Sequence, residues 1–124
     1  NDVQQVTQSL AGKVDAIYIP TDNVFASAMP IVAQITDQAK IPTICGESNM
    51  VKNGGFATLG IDYYNLGYQT GEMGVKVLKG EAKPATMPIE SQKDYAFTIN
   101  GEVAKTIGVT IPSDLSKYVV HSGQ

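Results

Sequence analysis

Acids, amides and hydroxyls directly follow three predicted strands, at the point where each strand ends. They are Thr21, Asp22 and Asn23 after a strand at 15–19, Glu47 and Ser48 after a strand at 42–45, and Asp62 and Tyr63 after a strand at 56–60. In an open α/β sheet, ligands bind in the crevice beyond the carboxyl ends of the strands. The sequence therefore predicts a polar ligand-binding cleft built from these three strand ends.

The composition argues against several other classes of protein. The net charge is -3 and no stripe of basic residues is present to neutralise phosphates, which argues against nucleic-acid binding. No apolar run approaches the roughly 20 residues that a membrane-spanning helix needs. A single cysteine, Cys45, excludes an internal disulfide framework. We expect that the protein needs no cofactor. The sequence contains no cluster of His and Cys residues with the spacing of metal ligands.

Strands alternate with helices along the chain. The predicted helices are 2–11, 23–39, 48–53, 62–79 and 101–107, and the predicted strands are 15–19, 42–45, 56–60, 86–90 and 95–99, with a final turn at 113–119. This alternation predicts βαβ units and an open parallel sheet with flanking helices. Gly12, Gly54 and Gly80 each follow a predicted helix, where a left-handed cap favours glycine. Because the sequence begins inside a predicted helix, we expect it to be a fragment of a longer protein.

Two predicted helices carry unusual residues. The helix at 23–39 is expected to bury one apolar stripe, made of Val24, Ala28, Ile31, Val32, Ile35 and Ala39. Pro30 lies within it and is expected to kink the helix or restart it.

The helix at 62–79 carries Gly67, Gly71 and Gly74 on roughly one face, and each glycine costs about 1 kcal/mol of helix stability relative to alanine. Close backbone packing against another element is the interpretation we favour.

Four segments together resemble a known family. They are DAIYIPTDN, KIPTICGESNMVKNGGFATLGIDYYNLG, VLKGEAKPATMPIE and TINGEVAKTIGVTIP, in this order. They resemble the C-terminal portion of an ABC-transporter substrate-binding protein, and the tryptophan/tyrosine-type proteins are the most similar group. The resemblance implies one lobe, plus a crossing helix, of a two-lobe type I periplasmic-binding-protein-like fold that clamps a ligand between its lobes.

The resemblance also implies an organisation and a set of partners. Residues 1–61 would belong to the second lobe, 62–84 would cross to the first lobe, and 85–124 would form a hinge strand and return to the second lobe. The expected partners are a small ligand, an aromatic amino acid, an ABC permease and the missing N-terminal lobe, with a homodimer of the fragment as a further possibility. The protein would be extracytoplasmic, either periplasmic or a membrane-anchored lipoprotein.

An amino-acid ligand would need an acid for its ammonium group, and each candidate acid has an alternative role. Asp22 or Asn23 could cap the helix that follows, a role worth about 1 kcal/mol. Ser48 could cap the next helix and leave Glu47 as a solvated loop acid. Asp62 opens a helix, where the helix dipole favours a negative charge. Tyr63 and Tyr64 could stack on an aromatic ligand, and one of the two is expected to belong to the core.

Other classes of function stay open at this point. Cys45 with His121 would make a nucleophile and base, but a lone cysteine is more often a buried apolar residue. Asp15, Asp22 and Asp62 would make the acidic metal site of a response regulator. The main alternative is the ligand-sensing domain of a LacI-type regulator, or a sugar- or nucleoside-binding protein of the same fold. We expect that the protein is not an enzyme.

Overall fold

The computed structural model describes residues 2–121, in which strands and helices alternate. In chain order they are α1 (Asp2–Leu10), β1 (Ile17–Ile19), α2 (Asn23–Ala39), β2 (Thr43–Cys45), α3 (Ser48–Lys52), β3 (Ala57–Ile61), α4 (Tyr63–Leu78), β4 (Tyr95–Asn100), α5 (Gly101–Ile107), a 3₁₀ helix (Ser113–Tyr118) and β5 (Val119–Val120). These elements fall into two compact units. The first contains the described residues up to Gly60 and those from Ala96 onward, and the second is Ile61–Tyr95.

The five strands form one sheet in the order β1-β2-β3-β4-β5. Pairing is parallel between β1 and β2, between β2 and β3, and between β4 and β5. The register places Tyr18 beside Ile44, and Ile44 beside Ala57. The predicted open α/β sheet with flanking helices is confirmed. Parallel pairing brings the carboxyl ends of β1 and β2 to the same edge of the sheet.

The core of the first unit lies between one face of the sheet and the helices. Its central cluster of buried residues is Ile19, Met29, Val32, Cys45, Met50 and Val51. The buried face of α2 overlaps the predicted stripe only at Val32, because the buried residues are Met29, Val32, Ala33 and Thr36, whereas Val24 is 65% exposed. Thr36 tolerates burial because its hydroxyl donates to the carbonyls of Val32 and Ala33 within the helix. The helix continues through Pro30 without a restart.

The other face of the sheet carries exposed apolar side chains. Tyr18, Ile44 and Leu59 are 70%, 40% and 66% exposed, and they alternate along their strands with buried neighbours such as Ile19 and Cys45. Side chains alternate between the two faces of a strand, so these three share a face. Parallel sheets are normally covered on both faces. In the described residues this face is therefore only partly covered.

Helix ends follow the predicted glycine positions. Gly12, Gly54 and Gly80 adopt φ values of 75°, 114° and 76°, which confirms their left-handed conformation. Gly108 does the same after α5 with φ 80°, and its N–H donates to carbonyls of the last turn. Lys40 ends α2 with φ 54° although it is not a glycine.

The second unit consists mainly of α4 and the segment after it. Gln69 is buried, and its amide donates to Glu90 Oε2 at 2.8 Å and to the Ser91 carbonyl at 3.1 Å. The strand predicted at 86–90 is wrong, since this stretch forms a turn and extended chain. Pro88 lacks the N–H that a strand ladder needs, and Ile89 is fully exposed.

The glycines of α4 have no close neighbour among the described residues. A Cβ atom built at Gly67, Gly71 or Gly74 would meet no atom within 4 Å. The expected close packing is therefore not found within residues 2–121. The same residues include no helix long and apolar enough to cross a lipid bilayer.

Candidate functional site

Asp22 lies in the short connection between β1 and α2, where it caps the helix. Its Oδ1 accepts hydrogen bonds from the N–H groups of Val24 at 2.7 Å and Phe25 at 3.2 Å. Two helix N–H groups that would otherwise lack a partner are satisfied in this way. Thr21, Asp22 and Asn23 are all exposed. The predicted cap is present, and it uses only one of the two carboxylate oxygens of Asp22.

Glu47 occupies the equivalent position after β2 but is buried. Its two carboxylate oxygens accept from the N–H groups of Asn49 at 2.9 Å and Met50 at 2.8 Å, and the side chain is 6% exposed. The alternative in which Ser48 caps α3 and Glu47 is solvated is wrong. Ser48 instead bonds the Thr98 hydroxyl of β4 at 2.8 Å. Glu47 is therefore engaged in fixing the start of α3.

Two glycines let the strand ends of the first unit approach each other closely. A Cβ atom at Gly46 would clash with the side chain of Thr21 and lie 2.6 Å from its backbone nitrogen. A Cβ atom at Gly60 would clash with the Gly46 carbonyl and lie 2.5 Å from Thr58 Oγ1. Such contacts are too short for any real Cβ atom. The absence of side chains at these glycines therefore places Thr21 directly against the end of β2.

Asp62 and Tyr63 begin α4. Asp62 Oδ1 accepts from the Asn65 N–H at 3.0 Å, and its Oδ2 accepts from the Asn65 side-chain amide at 3.0 Å. Tyr63 is 52% and Tyr64 81% exposed, so the expectation that one of them is a core residue is wrong within the described chain. Asp62 and Tyr63 belong to the second unit, whereas the other five predicted residues belong to the first.

Asn100, which the sequence analysis did not select, is the most deeply buried polar residue of the first unit. It is 0% exposed, and its Oδ1 accepts from Glu102 N at 3.1 Å and Val103 N at 3.2 Å. Its Nδ2 donates to the Val51 carbonyl at 3.1 Å. The signal available in the sequence was an asparagine followed by glycine and glutamate after an apolar strand, which is typical of a helix start.

The candidate nucleophile Cys45 lies in the hydrophobic core. Cys45 is 2% exposed, and burial raises the pKa of its thiol to about 11. It is therefore protonated at neutral pH and a poor nucleophile. Among residues 2–121, no group of three or more His, Cys, Asp or Glu side chains is placed to hold a metal ion.

An apolar cavity of about 270 Å³ lies between α1, β1 and α2, and no predicted site residue lines it. Its lining includes Val3, Val6, Leu10, Ile17, Pro20 and Phe25. A charged or zwitterionic ligand would find few hydrogen-bond partners in such a lining. The exposed polar strand ends remain the better candidate for ligand binding.

Comparison with known proteins places this geometry in a family. The model of the ABC transporter substrate binding protein family matches residues 1–122. A tyrosine-binding protein of Clostridioides difficile is 37% identical over 120 residues, which cover 96% of this chain and 34% of that protein. A second curated relative, an uncharacterized protein of Rickettsia prowazekii, is 27% identical over 100 residues.

Two solved structures are similar over 98% of this chain and 41% of theirs. One is the ligand-free, open structure of a substrate-binding protein with adhesive properties from Clostridium difficile, with TM-score 0.77 and 43% identity. The other is an ABC domain from Streptococcus pneumonia in complex with L-Trp, with TM-score 0.80 and 37% identity. The chain spans only about a third of the length of the two curated relatives. By the family match over residues 1–122, it belongs to the ABC transporter substrate-binding protein family.

Proposed function

We propose that these residues form part of the solute-binding component of an ABC importer, which binds an aromatic amino acid between two lobes. The observation that carries this proposal is the pair of relatives at 37% identity, one named as a tyrosine-binding protein and one solved with L-Trp. The exposed polar groups at the strand ends offer the hydrogen-bond donors and acceptors that such a ligand requires. The protein acts with a permease, is not an enzyme, and works outside the cytoplasm as a periplasmic protein or lipoprotein.

The proposed ligand-binding residues of the first unit are Thr21, Asp22, Asn23 and Ser48. Asp22 supplies a carboxylate for the ligand ammonium group, because its Oδ2 takes no part in the helix cap. Thr21, Asn23 and Ser48 supply hydroxyl and amide groups nearby in the first unit. A hydrogen bond to a charged group contributes about 1.5–3 kcal/mol, which is roughly 10- to 100-fold in affinity.

Asp62 and Tyr63 are also proposed as ligand-binding residues. Tyr63 is half exposed beside the start of α4 and offers a ring face to an aromatic ligand. Such a pair adds about 0.5–1.5 kcal/mol beyond burial. Glu47 acts by positioning the start of α3, since both its carboxylate oxygens are already bonded and the side chain is buried.

The proposed organisation follows the sequence prediction, with 1–61 and 85–124 in one lobe and 62–84 crossing to the other. Donors for the ligand carboxylate would come from the lobe outside these residues, since the chain contains no arginine. Closure of the lobes on the ligand is then a population shift towards the closed state.

A thermal-shift screen of the full-length protein tests the proposal directly. Its ligands are the twenty amino acids, nucleosides and simple sugars. Ligand at about 100 times its Kd contributes about 2.7 kcal/mol, which raises Tm by several degrees. We expect a selective shift with Trp, Tyr or Phe. A shift only with a sugar or nucleoside would refute the proposed ligand, and calorimetry on any positive ligand gives its stoichiometry.

A further inference from the structure

The sequence contains two Asn-Gly pairs, Asn53-Gly54 and Asn100-Gly101, and the fold places them in different surroundings. In such a pair the glycine nitrogen can attack Cγ of the asparagine, because glycine has no Cβ atom to hinder the approach. The bond from nitrogen to Cγ forms, the bond from Cγ to Nδ2 breaks, and the amide proton leaves with Nδ2 as ammonia. Water then opens the succinimide ring to aspartate or to isoaspartate, in which the backbone continues through the side-chain carbonyl.

Asn100 is held in a conformation that prevents this reaction. Its Oδ1 accepts from the N–H groups of Glu102 and Val103, and its Nδ2 donates to the Val51 carbonyl. Cγ can approach the Gly101 nitrogen only after these three hydrogen bonds break. The side chain is also 0% exposed, so water is excluded from it. Reaction at Asn100 therefore requires the surrounding core to unfold.

Asn53 lies just beyond α3 under very different restraints. Its side chain is exposed and makes no hydrogen bond within the described residues. The Gly54 N–H donates to the Val51 carbonyl at 3.1 Å, at the end of a helix of only five residues. Helix ends fray, so loss of this one turn bond frees the nitrogen while the core stays folded. Local opening is therefore sufficient for reaction at Asn53.

The two glycines after Asn53 leave little room for a changed backbone. A Cβ atom at Gly54 would lie 2.5 Å from the Cβ atom of Ala33 in α2, and one at Gly55 would clash with Cys45 Sγ in β2. An isoaspartate adds one backbone atom between residues 53 and 54, which displaces these glycines from their close contacts. Aspartate, by contrast, leaves the backbone unchanged and adds one exposed charge.

We propose that Asn53 is a site of spontaneous deamidation in the folded protein, that Asn100 is protected by the fold, and that isoaspartate at position 53 destabilises the first unit. The contrast between one free and one fully bonded asparagine, each followed by glycine, carries the proposal. It depends neither on the identity of the ligand nor on the arrangement of the lobes.

The first test follows both positions in the full-length protein during incubation at mildly alkaline pH. Trypsin cleavage after lysine separates them into peptides 53–76 and 94–105, whose deamidated forms are distinguished by mass spectrometry with fragmentation. In the folded protein we expect Asn53 to react at least about tenfold faster than Asn100. In urea the two rates should come within a few-fold of each other. Equal rates in the folded protein, or reaction of Asn53 only in urea, would overturn the proposal.

The second test uses variants at position 53 to separate the altered backbone from the added charge. Asn53→Gln forms the corresponding ring far more slowly, so its Tm should stay constant during an incubation in which the Tm of wild type falls. Freshly purified Asn53→Asp carries the charge on a normal backbone and should keep the Tm of fresh wild type. If Asn53→Asp already has the Tm of aged wild type, or if isoaspartate accumulates without a fall in Tm, the proposed destabilisation is wrong.

Discussion

Replacing Asn100 with alanine should destabilise the first unit by about 2–3 kcal/mol. The substitution removes an N-cap from α5, which costs about 1 kcal/mol. It also removes the hydrogen bond from Nδ2 to the Val51 carbonyl, a bond worth about 1 kcal/mol. The side chain is 0% exposed, so no water replaces these bonds without rearrangement. A small cavity accounts for the remainder of the loss.

Equilibrium urea unfolding of the full-length protein measures this effect. Asn53→Ala is the matched control, because Asn53 is exposed and its side chain makes no hydrogen bond within the described residues. The control should change the free energy of unfolding by less than about 0.5 kcal/mol. If Asn100→Ala behaves like the control, the buried contacts of Asn100 do not stabilise the fold as argued.

Asn100→Asp separates the two roles of this side chain. An aspartate can still accept from the N–H groups of Glu102 and Val103, but its carboxylate cannot donate to the Val51 carbonyl. Burial disfavours the charged form of the new carboxyl and so raises its pKa in the folded state. The folded state then binds the proton more tightly than the unfolded state. Stability of this variant should therefore fall as pH rises, relative to wild type. A constant difference between pH 4 and 8 would contradict the argument.

The remaining predictions concern the site and its surroundings. Asp62→Asn, which keeps the helix cap, should weaken binding of an aromatic amino acid about tenfold or more by calorimetry; unchanged affinity would remove Asp62 from the site. Cys45→Ser should leave ligand affinity within a few-fold, whereas a complete loss of function would reopen a catalytic role for Cys45. Gly46→Ala should lower both Tm and affinity, because its Cβ atom would clash with Thr21; an unchanged protein would contradict the close approach. Burial raises the pKa of Asp37 in the folded state above its ordinary value of 3.8. The folded state therefore binds the proton more tightly than the unfolded state, and the contribution of Asp37 to stability falls as pH rises above 3.8. Asp37→Asn should remove this dependence in pH-resolved melting curves, and a dependence that persists would assign it to another group.

The sequence was sufficient for the elements whose signals are local. The alternation of strands and helices and the glycines after helices depend on a few neighbouring residues, and Gly12, Gly54 and Gly80 show the expected φ values. The prediction of a strand at 86–90 was wrong because Pro88 lacks the N–H group that strand pairing needs, and the apolar residues around it do not compensate for that loss. The segment also contains Glu90, which accepts a hydrogen bond from Gln69, 21 residues earlier, and no local sequence pattern indicates that contact.

Burial was harder to predict because it depends on the tertiary neighbours of each residue. Of the stripe predicted for α2, only Val32 is buried, and the core also uses Met29 and Thr36, which the stripe did not contain. Thr36 was missed because its hydroxyl is satisfied inside the helix, which makes it nearly as easy to bury as valine. Asn100 was missed for a related reason, since one of its partners is Val51, far away in sequence.

Capping and ligand binding are not exclusive roles for the acids at the strand ends, because a carboxylate has two oxygens. Asp22 uses only Oδ1 for its cap and is exposed, so Oδ2 can accept a ligand ammonium group without loss of the helix start. Glu47 uses both oxygens and is 6% exposed, so a ligand could bond it only at the expense of burial and capping. Asp62 uses both oxygens but is only partly buried, and one of its bonds is to the exposed side-chain amide of Asn65. Among the three acids, Asp22 is therefore the one whose substitution should reduce affinity with the least effect on folding, provided that Asn keeps the cap.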